Sequence, residues 1–388
     1  MTNPTPKTHE TTGRNISSEY RYTTDGGIAV IRRQTEITYE NATEHLIDAL
    51  DRTKGVLLSS SYEFPGRYSR WDMGFSTPPL EITGRERGFA IRALNDRGRV
   101  LLPVIEKILS DHHHIDGLTN GDDGLYGFVG KAAAWFPEEH RSQQPSLFSV
   151  VRAIRDLFAH KGEERLGLYG AFGYDIALHF EQISLTQDRS RDHKDVHLYL
   201  PDQIITVDHA SKVATLFEYD FIAPDGRSTA GLERIAQDHP PSHGANTAVE
   251  NDMIDGEYAA VVDETKPRFA RGELFEVVPS RVFRTECKTA PSEIFRRLKR
   301  RNPAPYGFLI NLGDGEHLIG ASPEMYVRVT GQRVETCPIS GTIARGRDAI
   351  EDAENIRTLL NSAKEESELT MCTDVDRNDK ARVCKPGS

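Results

Sequence analysis

Cysteine, tryptophan and long apolar runs are all scarce in this 388-residue chain. Its four cysteines, Cys287, Cys337, Cys372 and Cys384, form no CxxC pair. That argues against a paired redox or metal motif. Small, reduced core residues of a cytoplasmic protein are the expectation. No stretch approaches the roughly 20 apolar residues of a membrane span. No Lys/Arg run marks a nucleic-acid face, and 48 basic against 59 acidic residues give a formal net charge of −11. That balance argues against binding a phosphate backbone. An anionic small substrate would need a local cation or a metal. The opening MTNPTPKTHETTGRN lacks the apolar core of a signal peptide, so residues 1–17 are expected to be a disordered lead-in. No internal repeat or low-complexity segment stands out.

What is present suits two domains of ordinary size. Residues 18–235 carry short apolar runs separated by Gly/Pro turns, such as GVLLSSSYEF and PPLEITG, which predict strands. TYENATEHLIDALDRT predicts a helix capped by Asn41 with Glu44 three residues on. RGFAIRALNDRGRVLLPVIEKIL predicts a strand, an Asn-Asp turn and a strand-to-helix run. PSLFSVVRAIRDLFAHKG predicts an amphipathic helix with Phe148, Val151, Ile154 and Phe158 on one stripe. LGLYGAFGYDIALHF predicts a strand leading into a helix, and HLYLPDQIITVDHASKVATLFEYDF a hairpin. The polar, Pro/Gly-rich QDHPPSHGANTAVEND predicts a linker over 236–250. Residues 251–388 then predict a helix, the strands LFEVVPSRVFRTEC, YGFLINLG and HLIGASPEMYVRVTGQRVETCPISG, and one long helix from about residue 350. Helices and antiparallel strands alternate without βαβ regularity, so the expected class is α+β.

The densest chemistry lies in AKEESELTMCTDVDRND, residues 363–379, where six side chains are carboxylates. On a helix Ile356, Leu360, Ala363 and Ser367 share one face, while Glu365 and Glu368 are neighbours on another. They form either a solvated polar face or a pair that meets a hard divalent cation such as Mg²⁺. Leu369, Met371, Cys372 and Val375 point in several directions, which predicts a buried turn beside them. In DRND, Asp376, Arg377 and Asp379 can pair locally, and Asn378 can cap a helix end. DVDRND lacks the Gly and closing Glu of a calcium loop. CPISGTIARG places Pro338 and Gly341 at a strand end, where backbone N–H groups could meet a carboxylate or simply form a turn. GASPE is a tight turn ending in Glu324, open to the same two readings. DHHHIDG reads as a solvated loop, since consecutive histidines on a regular element do not face one ion.

Together, LFEVVPSRVF, RNPAPYGFLINLG, GASPEM, PISGTIARG and KEESELTMCTDVDRND resemble the anthranilate synthase component I family of chorismate-utilising enzymes. LLSSSYEFPGRYSRWDMGF is similar to the variant in fused anthranilate synthases, which also carry a glutamine amidotransferase domain. The resemblance implies antiparallel sheets with surrounding helices and the conversion of chorismate and ammonia to anthranilate and pyruvate with Mg²⁺. It implies Glu365 and Glu368 as metal carboxylates, Glu324 as the general acid, and Gly341 and Thr342 as substrate contacts. Ser340 stands where the aminodeoxychorismate-forming relatives carry a nucleophilic Lys, which favours the anthranilate branch. A tryptophan inhibitor site is implied at Ser60, Asn302, Pro303, Pro305 and Tyr306, although Ser59 and Gly307 replace the family's Glu and Met. The partners so implied are chorismate, an amidotransferase domain or subunit, and tryptophan, with neither nucleic acid nor membrane. Family elements beyond the RNDxxRVxxPGS motif, including a catalytic His and a second pair of metal glutamates, are not in this sequence. An inactive, truncated chorismate domain is therefore expected. A non-catalytic tryptophan- or partner-binding fragment, or another chorismate-utilising synthase, is the alternative.

Overall fold

A computed structural model describes residues 17–235 and 250–388, apart from 65–67, 69, 132–135, 182, 187, 191, 252, 253 and 255. The expected lead-in and linker fall outside the described residues, except at Ser17 and Glu250. The chain runs through β1 (Ser17–Thr23), β2 (Ala29–Ile37), α1 (Glu44–Ala49), β3 (Gly55–Ser59), β4 (Trp71–Ser76), β5 (Leu80–Arg85) and β6 (Gly88–Ala93). There follow α2 (Asp96–Ser110), β7 (Ile115–Asn120), β8 (Gly124–Val129), α3 (Leu147–Phe158), β9 (Tyr169–Phe172), β10 (Val196–Leu200), β11 (Gln203–Asp208) and β12 (Val213–Ile222). Beyond the linker come β13 (Glu250–Asn251), α4 (Glu257–Ala270), β14 (Phe283–Arg284), α5 (Pro291–Arg301), β15 (Tyr306–Gly313) and β16 (Glu316–Ser322). The last elements are β17 (Met325–Thr330), β18 (Arg333–Cys337), α6 (Ala349–Leu360) and α7 (Ala363–Ala381).

Two antiparallel sheets dominate. One has the order β1-β2-β12-β11-β4-β3-β15-β16 and the other β7-β8-β6-β5-β10-β9. β15 pairs with β3, Gly307 opposite Ser59, so the larger sheet is continuous across the expected boundary near residue 250. Apolar burial explains the layering. Leu46, Ile47, Leu50, Leu57, Phe295 and Leu309 join α1 and α5 to one face of the larger sheet. Val56, Phe75, Ile310 and Leu312 meet Tyr199 of β10 and join the two sheets. α2 and α3 cover the smaller sheet through residues such as Leu101, Ile105, Val150 and Ile154. β10, VHLYL, is buried at every position because it has elements on both faces.

Several local expectations are corrected. Asn95 is not a turn residue but the N-cap of α2, accepting from the Gly98 N–H (3.1 Å). VLLPV is helical, with Leu101, Leu102, Ile105 and Leu109 on the core side. Thr43, not Asn41, occupies the N-cap position of α1, without a side-chain capping bond, and Asn41 sits at φ +58°. The buried stripe of α3 is Leu147, Val150, Ile154, Leu157 and Phe158; Phe148 and Val151 are only half-buried. The segment after β9 is a 3₁₀ turn. β11 and β12 form the expected hairpin, but β10 belongs to the other sheet. Among the described residues, the strand expected in LFEVVPSRVFRTEC shrinks to Phe283–Arg284, paired with Glu250–Asn251, and Phe275 is 88% exposed.

The long terminal helix is also two helices. Asn361 closes α6 and Ser362 caps α7, accepting from the Glu365 N–H (3.4 Å). The turn expected to be buried is not: Leu369 is 41% and Val375 54% exposed. Its apolar residues scatter around the helix and make no single stripe that one neighbour could cover. Arg377 pairs with Asp374, and Asn378 lies within the helix and does not cap it.

Candidate active site

β17 and β18 form a hairpin whose open end lies between two of the segments singled out in the sequence, GASPE and PISGTIARG. Met325 pairs with Cys337, so Glu324 enters the hairpin where Pro338 leaves it. The loop from Pro338 then turns at Gly341, with φ +73°, a backbone region that favours glycine. The loop meets the first turn of α7. A Cβ on Gly341 would lie 2.5 Å from Glu365 Oε2, and Ser340 Oγ lies 3.5 Å from the Glu365 carbonyl oxygen. Past the loop, Arg345 holds Asp352 through two bonds (2.7 and 2.5 Å) and Asn355 donates to the Ala344 carbonyl (2.9 Å). Lys380 donates to Thr336 Oγ1 (2.7 Å), tying the far end of α7 to β18.

Glu365 is largely covered, with its side chain 19% exposed. Its Oε1 accepts from Lys364 Nζ (2.9 Å), while Oε2 is buried with no hydrogen-bond partner among the described residues. Glu368 also reaches Lys364 Nζ (3.9 Å). The two carboxylates can therefore address one small cation, and the Lys364 ammonium, itself 78% exposed, holds that place. Its hydrogen bond with Glu365 raises the Lys364 pKa. Hard carboxylate oxygens and an unpartnered buried Oε2 suit Mg²⁺, which takes a few carboxylates and completes its shell with water or substrate oxygens. Among the described residues no cluster of three or more His, Cys, Asp or Glu could hold a metal. Glu324 is exposed, and its N–H donates to Ser322 Oγ (3.1 Å). Thr342 is exposed. His112, His113 and His114 lie ring to ring in a turn, with His114 Nδ1 2.8 Å from Ser149 Oγ.

The segments expected at the inhibitor site meet from distant parts of the chain, and Asn302, Pro303 and Pro305, but neither Ser60 nor Tyr306, line a cavity there. Ser61 N–H donates to the Ala304 carbonyl and Ala304 N–H to Ser61 Oγ (both 3.0 Å). Ser60 is buried and its Oγ donates to the Tyr62 carbonyl (3.3 Å). Beside them is a cavity of about 460 Å³ lined by Asn302, Pro303, Ala304 and Pro305, by Tyr62 and Tyr68, and by Ala321, Pro323 and Ile339. Pro323 and Ile339 belong to the Glu324 turn and the Gly341 loop, so this cavity borders the hairpin end. Ser59 donates to Asp72 (2.7 Å) and accepts from Lys299 (2.8 Å). At Gly307 a Cβ would lie 2.7 Å from the Ser59 carbonyl oxygen, so a methionine there would require β3 to move.

Two features escaped sequence reasoning. α5 is clamped on one face: Ser292 donates twice to Asp51 (2.7 Å each), Arg296 binds Glu44 and Asp48, and Lys299 reaches Ser59 and Asp72. Their i, i+4, i+7 spacing was a readable signal. Tyr62 and Tyr68 line the cavity, and only their closeness to LLSS hinted at it.

Residues 117–388 match the family described as chorismate binding enzymes. An anthranilate synthase of Azospirillum brasilense is 50% identical over 368 residues, which is 95% of this chain and 50% of that one. Anthranilate synthase component 1 of Serratia marcescens is 30% identical over 353 residues, covering 86% of this chain and 67% of the other. This chain thus spans half to about two thirds of these relatives' lengths. In fold it is similar to the crystal structure of anthranilate synthase component I from Streptococcus pneumoniae, with TM-score 0.52 and 20% identity over 85% of this chain and 62% of that one.

Proposed function

The chain belongs to the family of chorismate-binding enzymes, and from that premise we propose that it supplies the chorismate-handling part of an anthranilate synthase. The reaction takes chorismate and ammonia to anthranilate, pyruvate and water, the first step of tryptophan synthesis in the cytoplasm. The observation that carries this reading is the approach of the Gly341 loop to Glu365, beside the open hairpin end that holds Glu324.

In this reading Glu365 and Glu368 hold Mg²⁺. When bound, the ion supplies positive charge that screens the substrate's carboxylate from an acidic protein and orients the ring. The Gly341 turn lets the loop backbone come close enough to contact the substrate, with Thr342 beside it. Glu324 donates its proton to the C4 hydroxyl as ammonia bonds to C2, so the C4–O bond breaks with loss of water and not hydroxide. The aminated ring then releases pyruvate and becomes aromatic. Ser340 has no amine, which disfavours attack from this loop and with it the aminodeoxychorismate branch. Ammonia is delivered from glutamine by an amidotransferase domain or subunit.

Tryptophan is the proposed inhibitor, held by Ser60, Asn302, Pro303, Pro305 and Tyr306. The cavity there is within the roughly 300–1,000 Å³ usual for small ligands. Tryptophan and chorismate would oppose each other's binding by the same factor.

The test is calorimetric binding of chorismate to the chain with and without Mg²⁺. Binding should require Mg²⁺ and weaken at least about tenfold in Glu365→Gln, about 1.4 kcal/mol. Equal binding without Mg²⁺ would overturn the metal assignment, and no binding in either condition the substrate assignment.

A further inference from the structure

The aromatic contacts at the cavity beside Asn302 single out Tyr68. Its ring meets Tyr306 edge-on, with centroids 6.1 Å apart at 87°, and Tyr62 at 6.3 Å and 60°. Its backbone is held by paired hydrogen bonds with Phe64 (3.0 and 2.9 Å). Its hydroxyl lies 3.9 Å from Cys337 Sγ. Cys337 is the last residue of β18 and immediately precedes the Pro338–Gly341 loop. Tyr306 is the first residue of β15, directly after the Asn302–Pro305 turn. One cavity-lining side chain therefore meets the residue that follows the Asn302–Pro305 turn and the strand end that carries the loop facing Glu365.

We propose that Tyr68 is a positioning residue that senses an aromatic amino acid in this cavity and passes its occupancy to the Pro338–Gly341 loop through Cys337. The proposal rests on the tryptophan reading above and adds the side chains that recognise and transmit. A lining of Tyr62 and Tyr68 together with Pro303, Pro305 and Pro323 suits a flat aromatic ring over an aliphatic one. An occupant that displaces the Tyr68 ring must also move its hydroxyl relative to Cys337, because ring and hydroxyl are one rigid body.

The experiment combines calorimetry with L-tryptophan and site-resolved alkylation of Cys337 by iodoacetamide, read by mass spectrometry on the 388-residue protein. Exposed Cys287 serves as the internal control. In the wild type, tryptophan should change the Cys337 rate by about threefold, the scale of one weak hydrogen bond, and leave Cys287 unchanged. Tyr68→Phe keeps the ring and should bind tryptophan within about threefold of wild type, yet lose the response at Cys337. Tyr68→Ala should weaken binding by about tenfold, with circular dichroism and the Cys287 rate checking the fold. If wild type binds no tryptophan, the inhibitor reading falls and this proposal with it. If tryptophan binds equally to wild type and Tyr68→Ala, or if Tyr68→Phe keeps the Cys337 response, only the role of Tyr68 is refuted.

Discussion

Replacing Gly341 with alanine perturbs the contact on which the candidate site rests. Two effects compete. The first is backbone strain: φ is +73°, a region that costs a residue with a Cβ about 1–2 kcal/mol. Stiffening of the unfolded chain returns about 0.4–1 kcal/mol of that. The second is the collision of the new Cβ with Glu365 Oε2 at 2.5 Å. That atom ends a flexible side chain, so the carboxylate can swing aside at an off-rotamer cost of about 0.5–1.5 kcal/mol. The total is about 0.5–3 kcal/mol of destabilisation, with strain and collision contributing comparably. Urea unfolding measures it, and a double-mutant cycle with Glu365→Ala separates the parts. Once Glu365 is truncated the collision vanishes, so the cost of Gly341→Ala should fall by about 1 kcal/mol. An identical cost in both backgrounds would mean that the loop does not meet Glu365, and the proposed site would lose its geometry.

Asp51→Ala removes two bonds to buried Ser292 at the start of α5 and should cost about 2–4 kcal/mol; a change below about 0.5 kcal/mol in urea unfolding would deny that Asp51 holds the helix. Stability should also fall in acid on two limbs. Burial lowers the His197 pKa and outweighs its bond to Glu81, so its contribution is present above about 6.5 and lost as pH falls below that value. Burial alone would raise the Glu81 pKa, but the His197 bond and the Lys54 charge bring it down to about 2. Its contribution is therefore present above about 4.5 and lost as pH falls toward 2. Urea midpoints against pH should show both limbs, with the lower one missing in Glu81→Gln; an unchanged lower limb would remove Glu81 from the account. Ser60→Arg places a charge beside the cavity and should weaken tryptophan binding at least about tenfold by calorimetry, whereas an unmoved isotherm would mean the inhibitor site lies elsewhere.

What the sequence made legible was local or motif-borne. The helix at 147–158 follows from its apolar period, and Gly341 and Glu365 stand out as motif residues that the fold brings together. Less legible was anything set by distant pairing. YGFLINLG reads as a strand, but nothing local says that it pairs with GVLLS some 250 residues earlier. Asn95 looked like a turn because Asn suits turns and N-caps alike. LTMC reads as buried from its apolar residues, but burial depends on a covering element that a local window does not contain, and Leu369 is 41% exposed. Tyr68 gains its place by bridging two segments, which no window along the chain contains.

The central claim, that these residues carry chorismate chemistry of the anthranilate kind, is tested most directly by product analysis in a chimera. The matching half of the Azospirillum brasilense anthranilate synthase is replaced by this chain and supplied with chorismate, Mg²⁺ and ammonium. The account predicts anthranilate, followed by its fluorescence, and an equal amount of pyruvate. It also predicts a loss of about 10²–10⁴-fold in Glu324→Gln, as for removal of a general acid. A folded chimera that turns chorismate into a different product, or whose Glu324→Gln variant keeps the full rate, would contradict it.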